Sequence, residues 1–136
     1  MSRSRTSLVL AVPAAAGLAY DAYVHLHLAK GYDAIGSSIT QGGLFRVEAG
    51  LAIVTGLAVL LSDHRLVWAA AGLTGLGGLG AVLLYRYVDV GAIGPLPNMY
   101  EPVWFTLKTR SAVAEGSVAV IWLLREVLRR KGSSAG

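Results

Sequence analysis

The chain of 136 residues contains no cysteine. This absence excludes a disulfide framework, a zinc site with thiolate ligands and thiol redox chemistry carried by the chain itself. Charge is scarce as well, because 15% of the residues are charged, whereas about a quarter are charged in a typical soluble domain. Hydrophobic residues make up 54% of the chain. The composition therefore predicts a small integral membrane protein with a single domain.

Four apolar stretches approach the length of about 20 residues that a helix needs to cross the hydrocarbon core of a bilayer. They predict helices at about 8–28, 44–61, 66–86 and 107–128. Together these helices take up most of the chain, so we expect an all-α fold, an integral membrane four-helix bundle. The Ser- and Gly-containing tail at 132–136 is predicted to be disordered.

Lysine and arginine are distributed unequally between the two ends of the predicted helices. One end carries Arg3, Arg5, Arg65, Arg125, Arg129, Arg130 and Lys131. Because short cytoplasmic segments of membrane proteins are enriched in these residues, both termini are predicted to be cytoplasmic. The same distribution explains the formal net charge of +4 without a nucleic-acid partner. The predicted location is the cell membrane, which the chain crosses several times.

Two longer connections are then predicted on the extracytoplasmic side. The first, near 29–43, is rich in glycine and serine and predicts a flexible turn. The second, near 87–106, contains three of the four prolines, which restrict its backbone. We expect it to cover the outer end of the helices as a semi-rigid cap. Its expected lid residues are Tyr100, Glu101 and Trp104.

Ionisable residues interrupt three of the four predicted helices. The candidates for binding a ligand or a proton are Asp21, His25, Arg46, Glu48, Arg110 and Glu115. A charged side chain in hydrocarbon is costly unless it is paired or hydrated, so such residues indicate a site. With a rise of 1.5 Å per residue, the three acidic residues lie roughly 6 to 12 Å inside the outer helix ends.

Local spacing predicts specific pairs among these residues. Asp21 and His25 are four residues apart and share a helical face, so they can form a hydrogen bond. The two arginines are the natural counter-ions of Glu48 and Glu115, through contacts within one helix or between helices. Two interpretations remain open: a pocket beneath the proline-rich connection, or an ion network that only fixes the arrangement of the helices.

The histidines argue against a metal or haem site. His25 and His27 are two residues apart on a helix, so their side chains cannot both bind one ion. His64 is predicted at the opposite end of the helices. No metal ligand is therefore predicted.

The third predicted helix contains many small residues. Residues 75–80 (GLGGLG) match the dinucleotide-binding fingerprint, but they lie inside an apolar run and no strand precedes them. Small side chains instead let helices approach closely in lipid. The expected helix-packing positions are Ala70, Thr74, Gly75 and Gly78.

Two segments resemble the DoxX-like family of small four-helix bacterial membrane proteins. They are residues 21–26 (DAYVHL) and residues 46–52 (RVEAGLA), the latter followed by GLA at 56–58. Some members of that family are associated with quinone-linked sulfur oxidation or with membrane oxidoreductase complexes. The resemblance implies a bacterial inner-membrane protein, with Glu48 and Arg46 as polar site residues.

These expectations combine into two functions. In the first, an outer-leaflet polar pocket binds a quinone or a lipid as part of a membrane oxidoreductase system, without intrinsic catalytic activity. In the second, the chain is a noncatalytic accessory or assembly subunit that packs against a membrane protein partner, or against its own copies. A proton- or ion-coupled transporter is a third interpretation, which requires an oligomer to form a pathway.

Overall fold

The computed structural model describes residues 5–135, and within this range the chain forms four α-helices and no β-strand. They are α1 (Arg5–Ala29), α2 (Gln41–Leu61), α3 (Arg65–Tyr87) and α4 (Thr106–Ala135), with a 3-10 turn at Lys30–Tyr32. The predicted all-α class is confirmed. Arg3, which the charge distribution placed on the cytoplasmic side, and Gly136 lie outside the described residues.

The helix ends follow local capping chemistry. The Thr40 hydroxyl accepts a hydrogen bond from the Gly43 N–H at 2.9 Å, which explains why α2 begins at Gln41. His64 caps α3 in the same way, because its Nδ1 accepts from the Leu66 N–H at 3.1 Å. The helix α4 runs to Ala135 instead of ending near residue 128, so residues 132–135 of the predicted tail are helical.

The helices pack in a ring, in which α1 contacts α2 and α4, and α3 contacts the same two helices. We call this arrangement the bundle. Its core consists largely of small side chains that recur every three or four residues along one face of each helix. The fully buried members include Ala11, Ala14, Leu18, Ala49, Ala52, Val59 and Ala71.

Close approach of α3 and α4 depends on two glycines. A Cβ atom at Gly72 would overlap the Trp122 ring, and one at Gly75 would lie 2.8 Å from the Glu115 carbonyl oxygen. Gly75 therefore packs against α4, as predicted from its small size. Ala70 is exposed instead, and Thr74 is half-buried with its hydroxyl donating to the Ala70 carbonyl at 2.8 Å. The packing face is thus rotated away from these two residues.

Three helices, α1, α2 and α3, are long and apolar enough to cross a membrane. The fourth, also predicted to be a crossing, does not meet this criterion of length and composition. The reason is its charged residues, which include Lys108, Arg110 and Glu115. Glu115 is nevertheless fully buried inside the bundle, while Val113 and Val120 on α4 are exposed.

One end of the bundle holds the beginning of α1, the short α2–α3 connection and the last turns of α4; we call it the termini end. Asp63 links these elements there. The Ser7 hydroxyl donates to Asp63 Oδ1 at 2.5 Å, and Arg125 Nη2 donates to the Asp63 carbonyl oxygen at 2.7 Å. The Arg125 guanidinium also lies 5.0 Å from the centre of the Trp68 ring. These contacts hold three separate elements together.

The opposite end, the loop end, is covered by residues 88–105. Glu101 anchors this segment, because its N–H donates to the Tyr85 carbonyl at 3.0 Å and its carboxylate accepts from the Tyr32 hydroxyl at 2.7 Å. Lys108 Nζ donates to Glu101 Oε1 at 3.1 Å and to the Val103 carbonyl at 3.0 Å. The proline-rich segment therefore lies over the loop end and is bonded to it.

Candidate functional site

Five polar side chains from three helices meet inside the bundle near its loop end. They are Asp21 and His25 of α1, Glu48 of α2, and Ser111 and Glu115 of α4. We call this group the floor cluster. Asp21 and Glu115 are fully buried, and Glu48 and His25 are half-buried. Four of the six candidate residues predicted from sequence therefore come together, and Ser111 joins them.

The contacts within the floor cluster are short. His25 Nδ1 lies 3.0 Å from Asp21 Oδ1 and 2.9 Å from the Asp21 backbone oxygen, as the four-residue spacing predicted. Ser111 Oγ lies 3.0 Å from Asp21 Oδ1 and 3.1 Å from Glu115 Oε1. A hydroxyl group has one proton to donate, so it can serve only one of these two carboxylates at a time.

The carboxyl groups have fewer hydrogen-bond donors around them than oxygens. One oxygen of each, namely Asp21 Oδ2, Glu48 Oε1 and Glu115 Oε2, is buried and receives no hydrogen bond from any described residue. The Glu48 carboxyl instead faces that of Asp21. Buried polar atoms are satisfied in most structures, and those that are not usually indicate function or an additional ligand.

The predicted arginine counter-ions do not reach this cluster. Arg46 is exposed and donates to both carboxylate oxygens of Asp33, at 2.6 and 2.9 Å, rather than to Glu48. These two bonds lower the pKa of Asp33 below its ordinary value. Arg110 is exposed on α4 and does not contact Glu115 in the described hydrogen bonds and ion pairs. Each arginine follows a helical face that points away from the core.

Gly78 makes room for two of the carboxyl groups. A Cβ atom there would overlap the Glu115 carboxyl and would lie 3.0 Å from Glu48 Oε1. The sequence predicted Gly78 as a helix-packing position, but in the structure it receives side-chain tips from α2 and α4. The role of Ser111 was not predicted either, although its four-residue spacing from Glu115 was a detectable signal.

A cavity of about 240 Å³ lies directly above the floor cluster. All four helices and the segment 88–105 contribute to its wall, so it lies beneath the proline-rich connection. Its apolar lining includes Val24, Leu28, Leu44, Phe45, Val82 and Phe105. Polar groups stand at its two ends: Glu48, His25 and Ser111 at the floor, and Tyr32, Glu101 and Lys108 at the lid.

The lid differs from the prediction in two of its three residues. Glu101 lines the cavity as expected, but Tyr100 and Trp104 do not, and Met99 and Phe105 take their place. Trp104 is exposed, and its ring makes an edge-to-face contact with the Tyr87 ring at a ring-centre distance of 6.4 Å. The turns of the proline-rich segment decide which of its side chains point inward.

The floor cluster also has the donor set of a metal site. Asp21, His25 and Glu115 each offer a ligand atom, and these atoms lie within 4.8 Å of one another. The two-residue spacing of His25 and His27 predicted no metal ligand, and His27 is exposed in the structure. Tertiary packing instead combines one histidine with carboxylates from α1 and α4.

No protein-family model matches the chain, and no curated protein or solved structure is significantly similar to it. The resemblance to the DoxX-like family therefore depends on the two short segments in α1 and α2, and it stays a prediction.

Proposed function

We propose that this protein is a multi-pass integral membrane protein whose loop-end cavity binds the polar head of a small amphipathic molecule, either a quinone or a lipid. The observation that carries the proposal is the cavity itself, which has apolar walls and hydrogen-bonding groups at both ends. Ligand sites are mostly apolar cavities with a few placed polar groups. The protein then acts by binding, and no catalytic step is assigned to it.

Insertion in a membrane is supported by three helices of sufficient length and hydropathy. The outward faces carry large apolar side chains, such as Leu57 on α2 and Leu73 on α3, which are exposed in the isolated chain. In α4 the acidic residue is turned inward, so this helix also presents apolar groups outward. The basic residues at the termini end favour a cytoplasmic position for that end, which directs the cavity to the outer leaflet.

The size of the cavity limits its occupant. Pockets for drug-sized ligands have volumes of roughly 300–1,000 Å³, so about 240 Å³ suits a head group rather than a complete long-tailed molecule. Gly77 and Ala81 of α3 line the cavity and are also exposed, which leaves an opening on this side of the bundle. A hydrophobic tail leaves the cavity here and continues into the bilayer.

The head group meets hydrogen-bonding groups at both ends of the cavity. Gln41 offers an amide donor to the carbonyl oxygens of a quinone or to the esters of a lipid, and His25 and Ser111 lie at the floor. As the resemblance to DoxX-like proteins implies, a quinone would connect the protein to a membrane oxidoreductase system. Hydrogen-bonding groups at both ends of the cavity favour a head group with two opposed polar atoms, such as a quinone ring.

The test fills the cavity without disturbing the fold. A Cβ atom at Gly77 meets no other atom within 4 Å, so Gly77→Leu is sterically tolerated and places a side chain at the cavity wall. Gly80→Leu is the matched control, since Gly80 is equally open but does not line the cavity. Native mass spectrometry from mild detergent, followed by binding of a short-tailed benzoquinone, measures the occupant.

We expect a bound lipophilic molecule on the wild type and on Gly80→Leu, and its loss from Gly77→Leu. The proposal is rejected when Gly77→Leu retains the same occupant at the same level, or when the wild type carries and binds none.

A second function, that of an accessory subunit, is favoured by the outer face of α3. Ala70, Gly77, Gly80 and Ala81 are exposed small residues, and small residues let a neighbouring helix approach closely in lipid. A partner chain or a second copy packed here would be detached by Gly80→Leu, with the cavity occupant unchanged. An unaltered assembly mass for this variant would contradict the accessory function.

A further inference from the structure

We propose that the floor cluster binds a divalent transition-metal ion, held by Asp21, His25 and Glu115, with Glu48 as a fourth ligand. This site lies below the cavity, and it does not depend on which molecule the cavity binds. Its ligands come from three helices, so the ion would join α1, α2 and α4 at the loop end.

The geometry brings suitable donor atoms to one point. The ligand atoms of Asp21, His25 and Glu115 lie within 4.8 Å of one another. Two ligands bound to one ion at about 2.1 Å lie at most about 4.2 Å apart. Small rotations of these side chains therefore close the site. Gly78 leaves space on the α3 side, where the carboxyl groups of Glu48 and Glu115 converge.

The acidic groups of the floor cluster favour such an ion. Three carboxyl groups are gathered here, two of them fully buried, and each has a buried oxygen that receives no hydrogen bond from the described residues. Burial of an unpaired carboxylate is strongly unfavourable. Arg46 and Arg110 lie on exposed helical faces, and His25 is the basic side chain that contacts the group. A divalent cation supplies the missing positive charge and binds the unpartnered oxygens together.

The donor set indicates the class of ion. One imidazole nitrogen with carboxylate oxygens suits Zn²⁺, Mn²⁺ or Fe²⁺, whereas Ca²⁺ and Mg²⁺ prefer oxygen ligands alone and Cu⁺ prefers sulfur. A neighbouring group helps to hold the ligands in place, because the Ser111 hydroxyl lies 3.0 Å from Asp21 Oδ1 and 3.1 Å from Glu115 Oε1. Hydrogen bonds of this kind commonly orient the ligands of metal sites.

The experiment uses the full chain in mild detergent, stripped with a chelator and titrated separately with Zn²⁺ and Mn²⁺. We expect one ion per chain in equilibrium dialysis. Asp21→Asn and Glu115→Gln are expected to weaken binding by roughly tenfold or more, since even outer groups of metal sites contribute 10- to 100-fold. Asp89→Asn is the matched control, because Asp89 is an exposed carboxylate of the segment 88–105 and does not line the cavity.

The histidine has its own control pair. His25→Asn is expected to lose affinity, whereas His27→Asn, two residues further along α1 and exposed, is expected to retain it. Circular dichroism and the elution volume verify that each variant is folded. Should a floor variant fail to fold, pulsed EPR of Mn²⁺ on the wild type with ¹⁵N-labelled histidine tests whether a histidine binds the ion, because a bound imidazole couples to it.

Folded wild-type protein that binds neither ion in large molar excess overturns the proposal, and so does a bound Mn²⁺ without coupling to histidine nitrogen. Equal affinity of wild type and the double variant Asp21→Asn, Glu115→Gln overturns it as well. The titration needs no cavity ligand, so failure of the Gly77→Leu test would leave its result unaffected.

Discussion

The substitution Gly78→Ala tests whether the buried carboxyl groups pack against α3. Alanine is ordinarily more favourable than glycine in a helix interior, by about 1 kcal/mol. At Gly78 the added methyl group would overlap the Glu115 carboxyl and crowd Glu48 Oε1. The carboxyl is the end of a flexible side chain, but it is fully buried and bonded to Ser111, so it cannot move without losing that contact.

The expected loss of stability in Gly78→Ala follows from a comparison with Gly80→Ala. A Cβ atom at Gly80 meets no other atom within 4 Å, so this control retains the helix-propensity gain of about 1 kcal/mol. Overpacking of a well-packed interior typically costs about 1–3 kcal/mol. We therefore expect Gly78→Ala to be less stable than Gly80→Ala by about 1–3 kcal/mol, because the propensity gain is common to both variants and cancels.

Reversible unfolding of both variants in mixed micelles of a mild and a denaturing detergent measures this difference, with helix content followed by circular dichroism. The same samples titrated with Zn²⁺ show whether the displaced carboxyl also weakens metal binding. Equal stability of the two variants would refute the reasoning, since it would mean that Glu48 and Glu115 do not converge on Gly78.

Three further predictions concern contacts outside the floor cluster. Arg125→Met removes the hydrogen bonds to Asp63, so it should lower the free energy of unfolding by about 1.5–3 kcal/mol in the same assay. An unchanged free energy of unfolding would show that these bonds do not stabilise the termini end. Tyr32→Phe removes the bond to the lid carboxylate and should speed limited proteolysis within residues 88–105, and an unaltered cleavage rate would contradict this. The Arg46 bonds lower the pKa of Asp33, so their contribution to the stability of the folded protein is complete above the ordinary carboxyl pKa and is lost as the pH falls through the lowered value. NMR titration of the Asp33 carboxyl carbon in Arg46→Gln should show its midpoint returning to the ordinary value.

Helix number and boundaries were largely predictable because each depends on local chemistry. The apolar stretches predicted four helices, and caps at Thr40 and His64 account for ends within a few residues of those expected. The helix α4 continues past its predicted end, because the composition of the Ser- and Gly-containing tail does not show that it extends the helix. The proline-rich connection covers the loop end, and of its three expected lid residues Glu101 lines the cavity whereas Tyr100 and Trp104 do not.

The candidate site was predictable in part. Asp21, His25, Glu48 and Glu115 were found because ionisable groups in apolar helices are rare and costly. The arginines are expected to pair with these acidic residues because of their opposite charge, whereas in the structure each side chain follows the direction of its helical face. Arg46 accordingly bonds to Asp33 across the connection, with Nη1 2.6 Å from the carboxylate.

Sequence alone determined the helical class, the number of helices and the acidic residues that interrupt them, because hydropathy and helical spacing act over a few turns. Tertiary structure decided what those residues form. The contacts of Glu48 with Asp21, of Ser111 with Asp21 and of Gly78 with two carboxyl groups depend on the rotation of each helix about its axis. That rotation is set by packing of small side chains between helices far apart in the chain, so the cavity and the metal-ligand set emerge only when the bundle is assembled.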